Sequence, residues 1–266
     1  MTRPAKIALW TGGGLLGLLV LLVGIVFILP NTEGGRAWIS RKASELTDGQ
    51  VRITGIHGSF PAALDLDRLE LRDSQGLWLW ADHLSLRWSP SALLSRHVDV
   101  ALLHIALLHV ERSPVPDKNE KPSSSSSSSS VPRTDLRDLS IDTLELGKTL
   151  AGDPASLTVK ANAHLRSLQD VDAHLSAQRT AGNGNYEVDA HFDPGSMNAT
   201  VRLQEPAHGP LENLVKVPDI GALSALVKLS GPRAAEDLQL SVDAGPLRAR
   251  ANGRIDLTKG AADLHY

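Results

Sequence analysis

The sequence predicts a mostly β protein: an N-terminal transmembrane helix followed by an elongated, repeat-like antiparallel β-sheet. Three observations carry that prediction. Residues 7–29 form one uncharged apolar run, the apolar positions after it mostly alternate with polar ones, and one alternation pattern containing a register shift recurs along the chain.

The run from Ile7 to Leu29, IALWTGGGLLGLLVLLVGIVFIL, is preceded only by the short basic leader of residues 1–6. As a helix it rises to about 35 Å, against a hydrocarbon core of about 30 Å, so it spans with modest tilt. A cleaved signal peptide has a shorter apolar stretch and a small-residue cleavage site, and neither is clear before Pro30, so the run reads as an uncleaved signal anchor. Trp10 and Trp38 fall near its two ends, where indoles sit well at the headgroup level. Gly13 and Gly17 form a GxxxG pair, but glycine is common in membrane helices and the pair reads as ordinary composition. Basic residues flank both ends (Arg3 and Lys6; Arg36, Arg41 and Lys42), so charge counting does not set the orientation. A short basic leader normally sends the C-terminal side across, which places the body in a bacterial periplasm as a single-pass inner-membrane protein. The chain has no cysteine, which permits an oxidising compartment.

Residues 30–49 include RAWISRKASELT, with Trp38, Ile39, Ala43 and Leu46 at helical spacing, and predict a short juxtamembrane helix. From Gln50 the period changes to two. Leu64 and Leu66 alternate with Asp65 and Asp67, then Leu69 and Leu71 with Glu70 and Arg72, so one face is apolar and the other charged. An extra residue across Asp67 and Arg68 is what a β-bulge supplies, keeping all four leucines on one face. The same spacing recurs at Val100, Leu102, Ile105 and Leu107, and again at Leu139, Ile141, Leu144 and Leu146, which suggests repeated units. Between the first two copies, Trp78, Trp80, Leu84, Leu86 and Trp88 alternate, and Pro90 to Ser95 reads as a helical turn. These elements make a first β segment over residues 50–112.

Residues 113–133 are rich in proline and hold eight consecutive serines, Ser123 to Ser130. Such a segment cannot bury enough apolar surface to offset its chain entropy and predicts a disordered linker. A second β segment covers residues 134–266, with a hairpin turn at Gly182, Asn183 and Gly184 and a helical break over Leu211 to Val217. The last residues, Leu264, His265 and Tyr266, bring no polar cap or closing helix, although repeat arrays need terminal caps. This predicts that the second segment is truncated and continues in a longer protein.

Composition narrows the function. With 266 residues, a net charge of −3 and 42% apolar residues, the chain can bury a sizeable core but has no basic stripe for nucleic acid. Without cysteine there are no thiolate metal sites, thiol nucleophiles or disulfides. No GxSxG, HExxH, P-loop or strand-borne GxGxxG occurs, and the histidines lack a metal-binding helical pair. The chain is therefore read as a non-enzyme with no cofactor and no metal site.

The anchor is followed by GSFP at Gly58 to Pro61, LRDSQGLWL at Leu71 to Leu79 and LRWSPSALLSR at Leu86 to Arg96. Further on come AGDPASLTV at Ala151 to Val159, VRLQEPAHG at Val201 to Gly209 and LSVDAG at Leu240 to Gly245. With these motifs the chain resembles the N-terminal part of the TamB family, inner-membrane subunits of the translocation and assembly module within the AsmA-like proteins. The resemblance implies a taco-shaped β-sheet whose apolar concave face is a groove leading away from the inner membrane. It also implies phospholipid transport toward the outer membrane, with acyl chains as the bound partner, or a part in outer-membrane protein assembly. A TamA-like outer-membrane partner would be met through a C-terminal region absent from these residues. Alternation alone fits a closed sandwich core as well as an open groove, since both need one apolar face per sheet; the repeat, the uncapped end and the resemblance select the groove. The lining candidates are Leu64, Leu66, Leu69, Leu71, Trp78, Trp80, Val100, Leu102, Ile105, Leu107, Leu139, Ile141, Leu144 and Leu146. An assembly scaffold with an exposed strand edge and a structural envelope tether are the competing readings.

Overall fold

The structure, a computed structural model, describes residues 32–115, 132–167, 169–214, 221–256 and 261–265. The predicted span over residues 7–29, its leader, Trp10 and most of the Ser/Pro-rich linker lie outside the described residues. Among the described residues no helix is long and apolar enough to cross a membrane.

Helix α1 (Glu33–Leu46) opens three residues before the predicted start because Thr32 caps it: its hydroxyl accepts from the Gly35 N–H at 3.1 Å. Glu33 adds a negative charge at the positive end of the helix dipole. The helix ends at Thr47, whose hydroxyl donates to the Ala43 carbonyl and accepts from the Val51 N–H at 3.0 Å, turning the chain into the first strand.

Among the described residues, thirteen strands then form one sheet in sequence order. They are β1 (Val51–His57), β2 (Ala63–Asp73), β3 (Gly76–Trp88), β4 (His97–Val110), β5 (Arg133–Leu146), β6 (Ala155–Ser167), β7 (Asp170–Arg179), β8 (Asn185–Phe192), β9 (Ser196–Glu205), β10 (Leu223–Pro232), β11 (Glu236–Ala244), β12 (Leu247–Asp256) and β13 (Ala261–His265). The predicted turn over Pro90–Ser95 is a 3-10 helix between β3 and β4. The Gly182 turn closes the β7–β8 hairpin through an Arg179 N–H to Gly184 carbonyl bond. Two short helices, α2 (Lys148–Ala151) and α3 (Pro210–Leu214), interrupt the strand run. The sheet is open, since β1 and β13 stand at opposite ends of the strand order.

The expectation of an antiparallel sheet is corrected at one place. β4 and β5 are parallel, His97 pairing with Arg133 and Val110 with Leu146. The reason is the connection between them. A parallel neighbour requires the chain to travel back along the strand, about 45 Å for a 14-residue strand. Residues 111–132 reach at most about 75 Å, ample for the return. The Ser/Pro-rich segment therefore does not divide the sheet, which is hydrogen-bonded across it.

The bulge read at Asp67 and Arg68 belongs to a line of irregularities across five strands. Ile53 and Ile56, Leu66 and Leu69, Ala81 and Leu84, Ile105 and Leu108, and Ile141 and Leu144 are each three residues apart, yet partners pair with partners along both rows. β6 lacks the extra residue, so the register shifts between Ile141 and Leu144 as they pair with Val159 and Leu157. Gly55 and His83 on this line have φ of 64° and 51°. At Gly55 a Cβ would also lie 1.8 Å from the Asp67 carboxylate, so both backbone and space require glycine.

Candidate apolar groove

Paired residues of neighbouring strands share a face, so the register strings side chains into rows across the sheet. One row runs through Ile56, Leu66, Leu84, Ile105, Ile141, Val159, Ala177, Tyr186, Leu203, Ala225, Val242 and Ala249. No charged residue interrupts it. Eleven spacings of about 4.8 Å make it about 53 Å long. A parallel row on the same face starts at Leu64 and continues through Leu139, Ala161, Leu175, Val201 and Leu240 to Ala251.

Of the sequence-derived lining candidates, Leu64, Leu66, Leu69, Leu71, Val100, Ile105, Leu139, Ile141, Leu144 and Leu146 lie on this apolar face. Three do not. Leu102 pairs with Arg87, Leu107 with Asp82, and Trp80 with Glu70, all on the charged face. Each leucine belongs to a doublet: the shift between Val100 and Leu103 sets Leu103, and that between Ile105 and Leu108 sets Leu108, on the apolar side. Trp80 stacks on the His109 ring at 3.8 Å, under the Arg68 guanidinium at 5.5 Å, so its indole is held by charged-face neighbours. Trp78 falls at the register shift between Leu71 and Arg72, where pairing does not set its face. Trp38, the described member of the proposed interfacial pair, is 50% exposed on α1.

Across the described residues, the elements in substantial contact are neighbouring strands, α1 with β1, α2 with α3, and the 3-10 helix with β4. Among the described residues no second sheet or helix layer lies over the apolar rows. Burial nevertheless runs deep in the first half, where Leu66, Ile105, Ile141 and Val159 are buried, and eases at Leu175, which is 38% exposed. From β6 onward small residues such as Ala161, Ala163, Ala173 and Ala190 replace leucine on this face. At one rim α2 and α3 meet, burying Ala151 and packing Leu211 against the core.

That rim carries polar groups the sequence reading did not single out. The Tyr186 hydroxyl donates to the Glu205 carboxylate, which also accepts from the Leu211 N–H at 3.1 Å. Burial, reinforced by Glu205, pushes the Tyr186 hydroxyl pKa well up. The Nε of Arg179, paired with Leu157 on the same side, is buried without a hydrogen-bond partner. At the other end of the strands Glu236, in the alternation of Leu238, is fully buried with both carboxylate oxygens unpartnered. No local sequence pattern marks these positions.

The opposite face is laced with ion pairs: Arg68–Asp82 at 3.0 Å, Arg87–Asp65 at 2.8 Å, Arg202–Glu187 at 2.9 Å. Most described histidines sit there beside carboxylates. His97 and His164 share Asp135 at 2.6 and 2.9 Å, and His174 meets Asp189 at 2.6 Å. The His164 hydrogen bond, with His97 adding to it, holds Asp135 below the usual carboxylate range against burial. Burial opposes charge on His109, but Glu111 and Glu145, both at 2.9 Å, outweigh it and raise its pKa. Among the described residues, no group of three His, Asp or Glu side chains could hold a metal ion. The two faces thus differ in kind: one carries apolar rows across twelve strands with charged groups towards their ends, the other is laced with ion pairs. The chain matches no protein-family model, no curated protein and no solved structure.

Proposed function

We propose that this chain is an inner-membrane-anchored periplasmic conduit for phospholipids moving toward the outer membrane. The observation that carries the reading is the uninterrupted apolar row from Ile56 to Ala249 with no layer packed over it among the described residues. An apolar face of this length, with Leu175 of the neighbouring row exposed, offers a surface on which an apolar ligand can lie. Acyl chains fit because each methylene removed from water contributes about 0.8 kcal/mol without needing a hydrogen-bond partner. The charged face keeps the sheet in water. No group of residues is assigned a chemical step. The resemblance to the TamB family points the same way and supplies the orientation, with contact to a TamA-like outer-membrane protein reserved for a C-terminal region beyond these residues.

Native mass spectrometry of the full chain, extracted from cell membranes, tests the reading. Phospholipid retained in detergent at concentrations that strip peripheral lipid supports it; a lipid-free chain with its fold intact sinks it.

A further inference from the structure

We propose that the turn between β3 and β4 inserts into the bilayer: Leu93 and Leu94 enter the boundary between headgroups and acyl chains of the anchoring membrane. This rests on the anchored reading above. Leu94 is 92% exposed and Leu93 48%, adjacent on the 3-10 helix Pro90–Ser95. Single exposed leucines are ordinary, but a neighbouring pair at a turn tip adds nothing to the core and costs solvation. Arg96 follows, exposed and left-handed at φ 56°, placing a cation beside the pair at the level where lipid phosphates lie.

The position of the turn selects the bilayer as its occupant. Strand polarity puts the β3–β4 turn at the same end of the sheet as Gly58, which follows β1. Arg36 donates to the Gly58 carbonyl at 3.1 Å, so the start of α1 lies at that end. The far end of α1 reaches the opposite end of the sheet, where Thr47 bonds to Val51. Thr32, the first described residue, therefore lies at the end that carries Leu93 and Leu94. Leu29, the last residue of the predicted span, and Thr32 are three residues apart, at most about 10 Å. That tether is too short to hold this end of the sheet away from a membrane the chain spans. Half-exposed Trp38 lies about 9 Å along the helix from Thr32.

Because the chain has no cysteine, single cysteines can be labelled without background. The full chain is reconstituted into phosphatidylethanolamine and phosphatidylglycerol vesicles containing nitroxide-labelled lipid, with an environment-sensitive fluorophore on Leu94→Cys, Leu18→Cys or Ser74→Cys. Ser74 lies in the β2–β3 turn at the other end of β3, about 43 Å away. The expected result is at least twofold quenching at positions 94 and 18 and none at 74. Quenching at 18 alone, or equal quenching at 74 and 94, overturns the proposal and leaves the anchor standing. No quenching at 18 removes the anchored reading and the proposal with it.

Discussion

Leu175→Asp should block lipid occupancy while leaving the sheet folded. Leu175 sits mid-row between Ala161 and Val188 and is already 38% exposed, so the wild-type side chain gains only part of a full leucine burial. Full burial contributes about 1.5–3 kcal/mol, so the substitution removes about 1–2 kcal/mol and leaves the carboxylate able to reach water. The same change at Ile141 is a different perturbation. Ile141 is 7% exposed between Ile105 and Val159, and a carboxylate there loses the apolar burial and adds a desolvation cost. Together these exceed about 5 kcal/mol, comparable with the whole stability of a domain. For a lipid, the charge at 175 displaces an acyl chain from about one strand spacing, roughly four methylenes or about 3 kcal/mol. That corresponds to about 100-fold weaker binding. Circular dichroism melting and equilibrium binding of a fluorescent phospholipid to the full chain measure the two sides. Unchanged binding with the fold intact, or unfolding as complete as that of Ile141→Asp, would refute the reasoning.

The face assignment in β4 predicts that Leu103→Ser lowers stability by about 2 kcal/mol, whereas Leu102→Ser stays within about 0.5 kcal/mol, in denaturant titrations of each variant. Gly55→Ala should cost about 1–3 kcal/mol from its φ of 64° and the overlap with Asp67, and Asp67→Ala should recover only the steric part, as melting temperatures will show. His109 has a folded pKa raised above its ordinary 6.5, so its contribution is full below pH 6.5 and is lost as pH rises through the folded value. Wild type should therefore lose stability between pH 6.5 and mildly alkaline pH by more than His109→Gln does; parallel pH profiles of the two proteins would exclude this.

Much of the sheet is legible in the sequence because its period of two is regular and its turns carry glycine, asparagine or proline. The extra residue after Leu66 could be read directly, since Leu64, Leu66, Leu69 and Leu71 share a face only if one residue is skipped. β4 resisted the same reading. Its doublets Leu102–Leu103 and Leu107–Leu108 offer an apolar residue to either face, and only pairing with Leu86, Ala81, Leu139 and Leu144 selects one. Trp80 misleads for a related reason: an indole looks like core, but here it is sandwiched by His109 and Arg68, contacts that depend on neighbouring strands. The parallel β4–β5 pair was hidden because linker composition does not reveal which way the chain returns. The alanines at 161, 163, 173 and 190 were overlooked because small residues give a weak alternation signal, although they line the shallower part of the face.

The most direct measurement is a photocrosslinking scan in cells, with the reactive residue placed in turn at Leu139, Leu175, Val201 and Leu240 along one apolar row and at Leu102, Asp65 and Glu70 on the charged face. Phospholipid adducts at all four row positions and none at the three others are the expected result. Adducts confined to protein, or lipid adducts distributed equally over both faces, would contradict an open lipid groove.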